Sequence, residues 1–69
     1  MVTVYTSQGC TSCEAVVKDL DQRGVPYVLV DIDRSPAGAE ELSRLTGGRV
    51  AVPTVVDERG EVLIGFGNT

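Results

Sequence analysis

Hydrophobic and polar positions alternate through Val2-Thr3-Val4-Tyr5-Thr6, most of them β-branched, a period of two that predicts a strand. Ser7-Gln8-Gly9 is turn chemistry. The period then changes. Apolar side chains at Cys13, Val16, Val17 and Leu20 follow the i, i+3, i+4, i+7 spacing of an amphipathic helix. Thr11 followed by Glu14 has the form of a capping box and puts the helix start beside Cys10. Gly24 and Pro26 end that helix. Tyr27 to Ile32 is a nearly continuous apolar run, the pattern of a strand covered on both faces. Ser35-Pro36 reads as an N-cap and first-turn proline, and Ala39, Leu42 and Leu45 form a second helical stripe closed by Gly47-Gly48. Pro53-Thr54-Val55-Val56 and Val62-Leu63-Ile64 read as two strands around the hairpin loop Asp57-Glu58-Arg59-Gly60.

The predicted order is βαβαββ. Its early β-α-β unit makes two parallel strands with a right-handed crossover, and the closing hairpin adds two strands antiparallel to each other. The expected fold is therefore α/β, a mixed four-stranded sheet with helices packed on it. No repeat, linker or low-complexity tract interrupts residues 1–69, which are read as a single domain. A chain of this size buries only about 60% of the surface its unfolded form exposes, so there is no room for a second core and stability is marginal.

Composition narrows the chemistry. With 42% hydrophobic and 23% charged residues the chain is globular rather than disordered. Its apolar runs are far too short for a membrane helix. Ten acidic residues against six basic ones give a net charge of −4, which argues against a nucleic-acid partner. Histidine and tryptophan are absent, so any chemistry falls to two cysteines, the carboxylates, the hydroxyls or the backbone.

The cysteines form the pair Cys10-Thr11-Ser12-Cys13, placed where a strand ends and a helix begins inside the β-α-β unit. That setting marks a redox motif. A sulfur at a helix N-terminus faces unpaired backbone N–H groups and the positive end of the helix dipole, and both favour the thiolate, the attacking species. Cys10, ahead of the helix, is the expected nucleophile. Cys13, which begins the buried stripe, is the expected resolving thiol. A structural disulfide closing so short a loop removes little chain entropy, and a structural zinc site lacks two of its four ligands. The rival from another class is a soft-metal carrier holding copper(I) on Cys10 and Cys13. Such carriers usually have a methionine two residues before the first cysteine, where this chain has Gln8, and follow β-α-β-β-α-β order.

Val4-Tyr5-Thr6, Gly9-Cys10-x-x-Cys13, Tyr27-x-x-x-Asp31-Ile32-Asp33 and Val52-Pro53-Thr54-Val55 occur in the order and spacing of the glutaredoxins. Over nearly its whole length the chain resembles that family and its glutaredoxin-like relatives. The resemblance implies a thioredoxin-like fold in which Pro53 is cis and faces the active-site sulfurs. It also implies that the Val52 backbone pairs antiparallel with the substrate's cysteine segment, a short strand addition. The implied activity is dithiol-disulfide exchange on protein or glutathione mixed disulfides. It needs no bound cofactor, and glutathione or a thioredoxin-reductase-type enzyme supplies the electrons. Reduced thiols of this kind fit the cytoplasm.

The departures matter too. Many glutaredoxins carry Pro-Tyr between the cysteines and a lysine shortly before them, where this chain has Thr11-Ser12 and Gln8. Many close the glutathione site with Gly-Gly-Cys-Asp, where this chain has Gly65-Phe66-Gly67-Asn68. Gly65-Phe66 is similar to the tail motif of NrdH-type redoxins, which take electrons from thioredoxin reductase. Arg49 is a candidate partner for a substrate carboxylate. The family usually continues into a third helix, whereas this sequence stops at Thr69. The expectation is a helix that is truncated, lost or replaced by a homodimer contact, leaving Val62, Ile64 and Phe66 partly uncovered. Asp31 and Asp33 are read as solvated strand-end residues, and Tyr5 as a core or sheet residue.

Overall fold

The computed structural model describes residues 1–48 and 51–64. The elements run β1 (Val2–Thr6), α1 (Thr11–Arg23), β2 (Tyr27–Asp31), α2 (Pro36–Leu45), β3 (Thr54–Val56) and β4 (Val62–Ile64). They form a four-stranded mixed sheet in the order β2-β1-β3-β4. β1 and β2 are parallel, with Val4 opposite Leu29. β3 is antiparallel to both neighbours, with Val55 opposite Val4 on one side and Leu63 on the other. Element order and strand directions match those expected of a thioredoxin-like fold.

Because side chains alternate along a strand, β1 splits its residues between two faces. Val2 and Val4 join Val55 on one face and pack against Val16 and Leu20 of α1, with Val25 and Tyr27 at the margin. Tyr5 and Thr54, paired across β1 and β3, belong to the other face and are buried. There α2 approaches β2 so closely that a Cβ on Gly38 would lie 2.5 Å from Cγ1 of Val30. One turn further along α2, Leu42 is fully buried.

The helix ends are satisfied locally. Gly24 (φ 69°) follows α1, and the amides of Gly24 and Val25 donate to the carbonyls of Asp21 and Leu20, a Schellman closure. Ser35 caps α2, its Oγ accepting from the Gly38 amide at 3.0 Å, with Pro36 in the first turn. At the far end, Thr46 donates to the Leu42 carbonyl through both its amide and its hydroxyl. In the hairpin, Oδ1 of Asp57 accepts from the amides of Arg59 and Glu61 at 2.8 and 2.9 Å, which folds the loop back on itself.

Three expectations need correction. β2 is an edge strand, with Val28 and Leu29 45% and 51% exposed, rather than a strand covered on both faces. Its apolar run reflects β-propensity more than burial. In α2 only Leu42 is buried, because Leu45 lies in the last turn and is 37% exposed. The cap of α1 is Cys10 itself and not the Thr11–Glu14 box. The expected uncovering of the last strand holds for Ile64, 41% exposed, while Val62 is half-buried and Phe66 lies outside the described residues. No helix among the described residues is long and apolar enough to cross a membrane.

Candidate active site

Three segments meet at one end of the sheet. Thr6 at the end of β1 lies opposite Asp31 at the end of β2, and Tyr5 lies opposite Thr54 at the start of β3. The turn 7–10, the loop 32–35 and the segment 51–53 therefore leave the sheet side by side. In sheets with parallel strands this carboxyl end is where reactive groups collect.

Cys10 is delivered there by a turn that includes Gly9, at φ 74°, a backbone conformation natural to glycine. As the N-cap of α1, Cys10 is extended (φ −84°, ψ 100°), and its carbonyl accepts the first helical bond from Glu14. Its Sγ accepts a hydrogen bond from the Cys13 amide at 3.1 Å. That is the bond a serine or threonine hydroxyl makes at an ordinary N-cap, here made to sulfur. The same geometry stabilises a thiolate, since the orphan amides and the helix dipole point at the sulfur.

Cys10 and Cys13 are joined by a disulfide across 5.3 Å between their Cα atoms, well within the usual span for such a bond. The two sulfurs are not equivalent. Cys13 is 4% exposed and packs with the inner stripe of α1, whereas Cys10 is half-buried at the surface. An open groove of about 410 Å³ beside α1 is lined by Cys13, Val17 and Leu29 with Glu14 and Lys18.

The Val52–Pro53 peptide bond is cis, and Pro53 is buried. Next to it the Thr54 side chain is fully buried and its hydroxyl donates to the Ala51 carbonyl at 2.7 Å, closing the segment that carries Val52. Arg49, Gly65 and Phe66 lie outside the described residues. Tyr5, buried near Glu41, has its hydroxyl pKa raised above the ordinary 10.0 by burial first and by the carboxylate second.

Two further residues support these segments. Thr54 had no signal beyond its place after Pro53. Asp33 is exposed, as expected of a solvated residue, and its Oδ2 also accepts from the Gln8 amide at 2.8 Å, which ties the turn before Cys10 to the β2–α2 loop. Among the described residues no group of three or more metal-ligating side chains comes together. The observed βαβαββ order also differs from that of the soft-metal carriers.

The sequence profile named Glutaredoxin matches residues 2–61. The chain is 34% identical over 65 residues to the Gene 56 protein of Mycobacterium phage D29, covering 94% of this chain and 71% of that protein. It is 34% identical over 55 residues to the glutaredoxin-like protein NrdH of Escherichia coli K12, covering 80% of this chain and 65% of that one. The crystal structure of the thioredoxin-like protein BC3987 superposes with a TM-score of 0.87 at 32% identity, covering 96% of this chain and 88% of that one.

Proposed function

The chain belongs to the glutaredoxin family of thiol-disulfide oxidoreductases, and we propose that it is a dithiol carrier that reduces protein disulfides with electrons from a thioredoxin-reductase-type enzyme. The observation that carries this reading is the asymmetry of the pair. Cys10 is half-buried with its sulfur hydrogen-bonded at a helix N-terminus, while Cys13, three residues on, is buried.

The chemistry balances as two exchanges. The Cys10 thiolate attacks one sulfur of the substrate disulfide, forming a mixed disulfide and expelling the other sulfur as a thiolate. The Cys13 thiolate then attacks Sγ of Cys10, closing the internal disulfide and releasing the second substrate sulfur. Two electrons pass to the substrate, and solvent supplies the two protons that make it a dithiol. Attack by a reductase dithiol on the Cys10–Cys13 bond reverses these steps and resets the carrier.

Val52 and Pro53 serve as the substrate rest. The backbone of Val52 pairs with an extended substrate segment next to its cysteine, supported by the position of the segment 51–53 at the Cys10 end of the sheet. The donor assignment is supported by the likeness to NrdH and by Gln8 standing where many glutathione-using relatives carry lysine. The cycle needs a reducing compartment, which supports a cytoplasmic location.

The test is a pair of coupled assays following NADPH consumption with a protein disulfide as acceptor. One contains thioredoxin reductase, the other glutathione and its reductase. Turnover in the first assay well above the second is expected. The reverse order overturns the donor assignment, and no turnover in either overturns the carrier role.

A further inference from the structure

We propose that Asp33 is a positioning residue for Cys10, its carboxylate clamping the pre-cysteine turn through the Gln8 amide. This rests on the reading of Cys10 as the nucleophile. Gln8 and Gly9 are exposed, so no apolar packing fixes the path of the chain between β1 and the helix cap. What fixes it is a hydrogen bond of 2.8 Å from Gln8 N–H to Oδ2 of Asp33, 25 positions away in sequence. A bond from an amide to a carboxylate is shorter and stronger than one between neutral groups.

The clamp is itself held. The Ile32 amide donates to the Thr6 carbonyl at 2.9 Å, which extends the β1–β2 pairing into the loop. The Asp33 amide donates to Oδ1 of Asp31 at 2.9 Å, and the amides of Arg34 and Ser35 both donate to the Asp31 carbonyl. Asp33 thus projects from a tight turn built on Asp31. Only Gly9 separates the clamped Gln8 from Cys10, and Cys10 must stay at the cap for its sulfur to accept from the Cys13 amide at 3.1 Å.

Two effects of Asp33 on the Cys10 thiolate have opposite signs, so they can be separated. As a nearby negative charge, Asp33 disfavours the thiolate. As a clamp, it favours the thiolate by keeping the sulfur on the helix N-terminus. Among the described residues, the other charged groups of the region are Glu14 in the first turn of α1 and the Asp31–Arg34 pair, 3.9 Å apart in the loop. They are unchanged in either variant. Asp33→Asn removes the charge but keeps an oxygen that can accept from Gln8. Asp33→Ala removes both. Because Asp33 is exposed, neither substitution disturbs the core.

The experiment measures the pH dependence of iodoacetamide alkylation in the reduced full-length wild type, Asp33→Asn and Asp33→Ala, with the modified cysteine identified by peptide mass. The expected thiolate midpoint of Asp33→Ala is higher than that of the wild type by about half a unit, the scale of a helix-terminus interaction. Asp33→Asn is expected at or slightly below the wild type. Equal midpoints in the two variants, whether raised, lowered or unchanged, overturn the proposal, because a mere charge or a purely structural role does not distinguish asparagine from alanine in this way. If the wild type is alkylated first at Cys13, the reading of Cys10 as nucleophile fails instead, and the proposal falls with it.

Discussion

The Cys13 amide donates a hydrogen bond to Sγ of Cys10, so the residue proposed to resolve the mixed disulfide also holds the sulfur proposed to begin it. The donor belongs to the buried stripe of α1 and the acceptor to its half-buried cap. A Cys-x-x-Cys pair obtains both roles from one helical turn, because the third amide of a helix is the one an N-cap side chain reaches. The rest of the fold places that turn at the end of the sheet from which the segment 51–53 also leaves.

The close approach of α2 to the sheet gives the first prediction. Gly38→Ala at an open helical site stabilises by roughly 0.5–1 kcal/mol. Here the new Cβ meets Val30 Cγ1 at 2.5 Å and Ser35 Oγ at 3.1 Å. Overpacking costs about 1–3 kcal/mol, and the stiff χ1 of valine leaves little room to yield. The variant is therefore expected to unfold at lower urea concentration than the wild type, with part of the loss restored by adding Val30→Ala. A midpoint above that of the wild type contradicts the packing described.

Thr54 supplies the second. Thr54→Val conserves shape but leaves the Ala51 carbonyl without the hydroxyl that bonds it at 2.7 Å. The cost of that orphaned group is about 1–3 kcal/mol. Thr54→Ser keeps the hydroxyl and loses one methyl, a change of roughly 0.5–1.5 kcal/mol. Urea denaturation should rank the wild type most stable, serine next and valine least. Valine equal to the wild type would show that the bond contributes nothing.

Alkaline pH gives the third. The Tyr27 hydroxyl donates to Oδ1 of Asp21 at 2.8 Å, which raises its pKa above 10.0, with burial and the carboxylate's charge adding to the shift. Tyr5 is shifted the same way, chiefly by burial. For a group whose folded pKa is raised, the stabilisation is fully present below the unfolded pKa and is lost as pH rises through the folded value. The tyrosines' contribution to stability should thus be flat below about pH 10 and fall above it. The two tyrosines of the native chain should ionise at higher pH than those of the urea-unfolded chain. Tyr27→Phe removes one of these titrations. Native ionisation at or below the unfolded midpoint contradicts both environments.

Much of this architecture is legible in the sequence because it follows from local rules. The alternation in Val2–Thr6, the stripe through Cys13, Val16 and Leu20, and the stop at Gly24 each depend on residues a few positions apart. The redox pair is legible for the same reason. What was misread depends on distant partners. Tyr27–Asp31 has the composition of a doubly covered strand, but its edge position is decided by where β3 pairs, on the opposite side of β1. Gly38 resembles any small helix residue until Val30 is brought against it. Asp33 is the exposed carboxylate the pattern predicts, but its partner Gln8, 25 positions away, comes only with the fold. The Thr11–Glu14 pattern suggested the right helix start for the wrong reason, since the cap is a sulfur.

The most direct measurement of the central claim is trapping of the mixed disulfide. The reduced wild type, Cys10→Ser and Cys13→Ser are each treated with hydroxyethyl disulfide, and intact mass is read over time. The Cys13→Ser variant should accumulate a single adduct on Cys10. The wild type should pass to an internal disulfide without a lasting adduct, and Cys10→Ser should react slowest of the three. Reaction of Cys10→Ser as fast as the wild type, with the adduct on Cys13, would contradict the assignment of Cys10 as the attacking sulfur.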